Sequence, residues 1–483
     1  MRGSSLFWTA SSFLIPALLA VVALPQLLSR MGPTSFGILS TLWVLGAALG
    51  IADLGFSRAF TQRLAAGTFA NRYEIQTAFV SVFVLMLAIG GVMFLVGTWL
   101  SDWLLRELAV PEALWPSAKM ALAVTFLTVP VSLGANLATA LSEATFEFRL
   151  ASVLRAATAS GAILAPYVGV AFSTDITWLA SCILGWRLCV LAIGLCVLAH
   201  KVYGSGPLRF SLAAIRSTWT LARWVSVSNI FGAALMYGDR LLVGSIVGVT
   251  AIASYNAAFE LTSRTTILAV AFATVFFPVV ARSSKLSVGQ RGLGVSEAMW
   301  AVLFVLAPLG WLLTYFGPEI RRALIPVDDT GMLHTVWALL VIGAIFSSLG
   351  QVPFVSLQGL GRSRAVALTH LGEVVPYLLA ISLATSSLGT VGAALAWCCR
   401  ALVDAIALDV QVRTSGEVTR LWLLVFVLSI LLILPVLVPF SFIVRSTLGI
   451  AGFLIALSYA ALRAYPMAIA ALNQGRIKRE NDV

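Results

Sequence analysis

Apolar runs long enough to cross a lipid bilayer recur along the whole 483-residue chain, and no other feature restricts its fold so severely. A hydrocarbon core ~30 Å thick takes about 20 residues of helix. Runs of that length lie near 6–28, 36–57, 76–98, 116–141, 150–172, 176–198, 218–247, 251–281, 296–316, 332–357, 365–386, 391–412, 420–439 and 444–463. Backbone polar groups inside lipid must be satisfied within their own segment, so such runs form helices. The expected fold class is an all-α polytopic membrane protein with about 14 transmembrane helices. The runs 218–247 and 251–281 exceed the required length and are expected to tilt or project from the bilayer. A chain that is 60% hydrophobic, 11% charged and +0.98 in mean hydropathy is neither a soluble globular protein nor a disordered one.

The net charge of +11 has no basic domain to hold it, which argues against a nucleic-acid partner. The cations lie instead in alternate short loops: Arg58 with Arg63 and Arg72, Arg149, Lys201 with Arg209 and Arg216, Arg282 with Lys285 and Arg291, Arg362 with Arg364, and Arg413 with Arg420. Opposite loops mix Arg106, Arg321 and Arg322 with Asp102, Glu107, Glu112, Glu319, Asp328 and Asp329. The positive-inside rule then expects both termini in the cytoplasm, and membrane lipids as the surroundings. The first run exceeds the apolar core of a signal peptide and has only Arg2 before it, so it reads as part of the fold. Cys182, Cys189, Cys196, Cys398 and Cys399 all fall within apolar runs at no ligand spacing, so neither a disulfide framework nor a metal site is expected.

Shifting the chain by 216 residues lays runs one to six on runs seven to twelve. Gly32 and Thr34 meet Gly248 and Thr250, Phe60 meets Phe276, Leu141 meets Leu357, and Ala180 with Cys182 meets Ala396 with Cys398. A shift of six spans preserves orientation, so the two copies are parallel repeats about an axis along the membrane normal. The expected organisation is a six-helix lobe over 1–204, a second over 205–415, and a C-terminal helix pair with a basic tail over 416–483. Two such lobes imply a central cleft and alternating access by rocking.

Ionisable groups inside spans are costly and mark function by default. Asp239 and Arg240 precede Gly248 by nine and eight residues, while Asn256, Glu260 and Arg264 follow it at intervals of four, on one helix face. Counted at ~1.5 Å per residue, Arg240 and Glu260 both fall roughly 12–18 Å from the turn. Two readings stay open: a hydrated cavity wall, or an interhelical salt bridge pairing Arg240 with Glu260 or Asp239 with Arg264. Arg187 has no acid on its own helix and is a candidate for an anionic ligand. Arg400 and Asp404 stand one turn apart, and Arg155, His370 and Glu373 lie two turns or so into their spans. Asp53 and Arg58, at the end of the second run, read as a gate or capping pair. No P-loop, acidic metal cluster or nucleophile beside a base is present, which disfavours an enzyme or an ATP-driven pump.

The stretch "LLSRMGPTSFGILSTLWVLGAALGIADLGFSRAFTQRLA" (27–65) resembles the opening of the polysaccharide flippases. These are the O-antigen/exopolysaccharide branch of the MATE-like multidrug/oligosaccharidyl-lipid/polysaccharide exporter superfamily. Gly32, Pro33, Phe36 and Gly37 fit a "LGPxxFGxY"-like turn, and Ala52, Asp53, Leu54, Gly55, Ala59 and Arg63 fit "ADLGxxxAxxR". "GDRLLVGSIVG", "LQGLGRSRAVAL" and "GTVGAALAWCCRALVDA" resemble its later landmarks.

The resemblance implies a MATE/lipid II flippase-like fold. It also implies flipping of a polyprenyl-diphosphate-linked oligosaccharide across a bacterial cytoplasmic membrane, with polymerase and export machinery as further partners. Arg187, Arg240, Arg264, Arg400 and Asn256 would contact that substrate. Asp239, Glu260, Asp404 and Glu373 would form exchangeable ion pairs, with H+ or Na+ as counter-ion and no other cofactor. A MATE-like drug/cation antiporter is the alternative; it favours a carboxylate in the first span, where 6–28 has only Gln26. A lipid II flippase shares the architecture, and a membrane glycosyltransferase or polymerase is a more distant reading.

Overall fold

A computed structural model describes residues 3–65, 71–145, 147–202, 209–266, 288–325, 332–359, 362–412, 418–438 and 441–455, with 69, 207 and 458. Every regular element among the described residues is helical. They are α1 (Gly3–Ala48), α2 (Phe56–Ala65), α3 (Arg72–Trp99), α4 (Ser101–Glu107), α5 (Trp115–Ala144), α6 (Phe148–Gly169), α7 (Ile176–Val202), α8 (Leu212–Ser263), α9 (Val288–Tyr315), α10 (Gly317–Leu324), α11 (Met332–Gly359), α12 (Ser363–Val412), α13 (Val418–Leu437) and α14 (Phe442–Ile455). Helix covers part or all of each of the fourteen expected spans. By length and apolarity eight described helices can cross a membrane, and Leu421–Val436 and Phe442–Ile455 are shorter apolar helices. Large apolar side chains such as Leu18, Val22, Leu95, Leu379 and Leu383 are exposed along them, as lipid-facing positions require.

Three elements are doubled. α1, α8 and α12 each break at a glycine of positive φ: Gly32 (φ 74°), Gly248 (φ 79°) and Gly389 (φ 59°). Only glycine enters this region without a steric penalty, which is why the punctuation falls there. At Gly248 the chain folds back, because Arg240 before it reaches Glu260 after it.

The repeat is visible in the backbone. Gly32 and Gly248 share one conformation, with ψ of 165° at both. The short helix α4 starts at Ser101 and α10 starts at Gly317, again 216 apart. Side chains meet their own counterparts: Thr34 Oγ1 lies 3.1 Å from Thr250 Oγ1, and Asn256 Nδ2 donates to Ser40 Oγ at 3.0 Å. Residues on a two-fold axis touch their equivalents, and Thr34, Gly37 and Ser40 occupy such positions. Gly37 is required there, since a Cβ would stand 1.9 Å from the Val249 carbonyl oxygen.

Two boundaries differ from the sequence reading. The expected span 36–57 ends as helix at Ala48, continues as the 3-10 turn Leu49–Asp53, and restarts at Phe56. Leu54 and Gly55 take positive φ, and Asp53 Oδ1 accepts the Ser57 N–H and hydroxyl, capping α2. Within the expected span 251–281, α8 ends at Ser263, where Thr265 and Thr266 turn their hydroxyls onto the carbonyls of Thr262 and Ser263. Residues 267–281 lie outside the described ones.

The chain divides into two compact units, one of 1–261 with 324–328 and 370–396, the other of 262–323 with 329–369 and 397–483. In the first, α5 packs against α3, α6 and α7. Its core includes Phe60, Val82, Met86, Leu133, Leu137 and Leu141. In the second, α9 and α11 pack together and against α13, around Met299, Leu349, Val352, Leu421 and Leu432.

Candidate functional site

The two arms of α8 carry the charges that the sequence singled out. Their reversal at Gly248 sets Arg240 beside Glu260, with Nη1 3.0 Å from Oε1. Arg240 is 4% exposed and Glu260 27%. The guanidinium also lies 4.5 Å from the Phe259 ring centre and 5.5 Å from that of Tyr237. Aromatic faces attract a cation once water is stripped from it. This is the salt bridge of the two sequence readings, and it leaves the Glu260 side partly open.

Asn256, one turn before Glu260, is 1% exposed and holds Ser40 through its amide nitrogen. Its Oδ1 is buried without a hydrogen bond among the described residues. The Asp239 side chain lies outside the described residues, as does that of Arg58. Asp53 caps α2, the structural half of its expected gate-or-cap role. Arg264 is half-buried just past the end of α8. Arg400 and Asp404, both half-buried, share a face of the second arm of α12, and Glu373 is half-buried on its first arm. The structure thus joins Arg240 to Glu260 and Asn256 to Ser40.

Arg187 sits eleven residues into α7, roughly 16 Å along its axis. Its Nη1 donates to the hydroxyls of Ser132 and, at 3.5 Å, of Thr128, both on α5. No carboxylate is within ion-pair distance among the described residues, and Nε is buried without a partner. Hydroxyl oxygens orient a guanidinium without neutralising it. The full positive charge is therefore available to an anion.

Below Arg187 the structure sets Arg155, which the sequence singled out, among groups that the sequence reading passed over. A cavity of about 310 Å³ opens among α2, α5 and α6. It is lined by Ser57, Thr61, Asn136, Thr139, Thr158 and the ion pair between Arg155 and Glu143. Thr128, Ser132, Asn136, Thr139 and Glu143 recur at intervals of four, four, three and four on α5, a polar stripe on one face of an apolar helix. That helical period was the available signal.

The chain matches the sequence family described as polysaccharide biosynthesis protein over residues 3–284. It is 23% identical over 404 residues, 83% of this chain and 95% of the other, to a Shigella flexneri protein named for O-antigen transport. Its fold is similar to that of the lipid II flippase MurJ in an inward closed conformation, with a TM-score of 0.74, 14% identity, and 95% and 99% of the two chains covered. An inward-facing multidrug resistance MATE family transporter of the MOP superfamily follows at a TM-score of 0.63, 13% identity, and 87% and 95% coverage. The sequence match spans more than half of the chain, and the protein belongs to the polysaccharide biosynthesis protein family, on a fold it shares with MurJ and the MATE transporters.

Proposed function

We propose that the protein is a flippase, not an enzyme, carrying a polyprenyl-diphosphate-linked oligosaccharide from the inner to the outer leaflet of a bacterial cytoplasmic membrane. The observation that carries this reading is Arg187, a cation in mid-helix held by two hydroxyls and, among the described residues, no acid. A diphosphate supplies the charge and the acceptor oxygens that such a guanidinium lacks. Family membership and the similarity to a protein named for O-antigen transport point to the same substrate class.

Both termini are taken as cytoplasmic, since the exposed Arg72, Arg149, Arg209, Arg216, Arg362 and Arg364 fall at alternate connections in the order of the spans. The contacts of Thr34 with Thr250 and of Ser40 with Asn256 then lie near the outer turns, where α1 and α8 must part for outward opening. Arg240, Arg264, Arg400 and Asn256 are further contacts for diphosphate or acidic sugars. Glu260, Asp239, Asp404 and Glu373 supply acids that take over an arginine when substrate leaves, or take up H+ or Na+ in exchange. Lobes over 1–204 and 205–415 with a helix pair over 416–483 are the rocking bodies in this scheme. Polysaccharide polymerase and export proteins are the expected partners.

The test is transport in proteoliposomes, using lipid-linked oligosaccharide extracted from cells deleted for the gene. Wild-type protein exposes the glycan on the far leaflet, and Arg187→Ala inserts normally but loses most of that activity. Export of cationic drugs without glycan flipping would overturn the proposal.

A further inference from the structure

We propose that the cavity among α2, α5 and α6 is a saccharide subsite, in which Asn136 and Thr139 bind the sugar linked to a diphosphate held at Arg187. This inference rests on the flippase reading and assigns a site to the neutral part of its substrate.

The lining decides the ligand chemistry. Each hydroxyl carries a single proton. Thr139 spends its proton on the Ala135 carbonyl at 2.9 Å and Thr158 on that of Leu154 at 2.8 Å. Thr61 donates to the carbonyls of Ser57 and Ala140 at 3.0 and 3.1 Å, and Ser57 to Asp53 Oδ1 at 2.6 Å. What these four oxygens offer to the cavity is lone pairs. A phosphate, which only accepts, finds no donor among these four, and the Arg155 guanidinium at the base is already paired with the Glu143 carboxylate. A sugar hydroxyl both donates and accepts, and suits such a wall.

Asn136 completes the set. Its side chain is exposed to the cavity and makes no hydrogen bond among the described residues. It stands eight residues from the end of α5 at Ala144, roughly 12 Å along the helix. An amide at that depth has both its donors and its acceptor unused, which a lipid-facing position would penalise by several kcal/mol. Paired Asn and carboxylate groups can span adjacent hydroxyls of a sugar ring, and the ion pair of Arg155 with Glu143 adds a charged donor and acceptor at the base.

Size and register agree. The volume of about 310 Å³ is at the lower end of small-molecule sites, room on the order of one sugar residue. Ser132, the Arg187 partner, is one helical turn from Asn136, about 6 Å along α5. A diphosphate on Arg187 therefore delivers its first sugar to Asn136. Arg187 reads the charged link, and the stripe below it reads the glycan.

The experiment uses full-length protein in lipid nanodiscs and two probes: polyprenyl diphosphate without sugar, and the lipid-linked oligosaccharide from deletion cells. Asn136→Ala and Thr139→Val should each weaken binding of the glycan-bearing lipid by roughly tenfold, the loss of one or two hydrogen bonds. Binding of the sugar-free lipid should stay within about twofold of wild type, whereas Arg187→Ala should weaken both lipids. Asn136 leaves no hydrogen-bond partner behind among the described residues, so its truncation should not disturb folding, and a monodisperse elution profile checks that. An equal loss for both lipids, or no loss for either, overturns the saccharide subsite alone. Stabilisation of wild type by Na+ that Asn136→Ala abolishes would make the cavity a cation site and overturn it too. If wild type binds neither lipid, the flippase reading itself falls.

Discussion

The hairpins at Gly32 and Gly248 share one backbone conformation and differ in what fills it. Where the second hairpin sets Arg240 against Glu260, the first has Leu24 and Val44 at the equivalent positions, 1% and 4% exposed. Ala23 stands in the place of Asp239. The first hairpin forms its reversal with an apolar pair where the second has the ion pair, so the turn itself does not require the charges. Apolar side chains of similar volume commonly match or exceed a buried ion pair in stability. On the proposed flippase reading the charge in the second copy serves transport, and the two-fold scaffold has one apolar arm and one charged arm.

The largest effect should come from locking the two arms together where they touch. Thr34→Cys with Thr250→Cys places two thiols at the 3.1 Å contact between equivalents. Oxidation should abolish glycan export and reduction restore it; full export by the cross-linked protein would show that α1 and α8 do not separate there. Next comes the ion pair. Arg240→Ala leaves Glu260 without its 3.0 Å partner, and the loss should approach about 3 kcal/mol. Arg240→Leu with Glu260→Val copies the first hairpin and should recover most of that stability in a thermal melt. A double variant as unstable as the single one would break the comparison. The smallest effect belongs to Ser40→Ala, which removes one hydrogen bond to Asn256 and should cost about 1 kcal/mol in a thermal melt.

Much of this was legible in the chain because lipid imposes length. Apolar runs of about 20 residues located the helices, and the 216-residue shift located the axis on which Thr34 meets Thr250 and Ser40 meets Asn256. The break after Ala48 was hidden inside an apolar run, although Asp53, Gly55 and Ser57 carry the capping signal. The pairing of Arg240 with Glu260 was one of two that spacing allowed, and the direction of the Gly248 turn decided it. The hydroxyls that hold Arg187 and line the cavity were harder to see. Thr139 and Thr158 bond to their own helix carbonyls, as isolated hydroxyls in apolar helices do, and read singly as packing. Only the polar face that Thr139 shares with Thr128, Ser132 and Asn136 on α5, with Thr158 of α6 across the cavity, separates a wall from a filler.

The most direct measurement is the flipping rate of the Arg240→Leu, Glu260→Val protein in proteoliposomes, beside wild type at equal reconstituted amounts. Our account predicts a correctly inserted, stable protein whose transport of lipid-linked oligosaccharide falls at least ~100-fold, about 2.7 kcal/mol in the barrier. Transport at the wild-type rate would contradict it, because the second hairpin would then be as plain as the first.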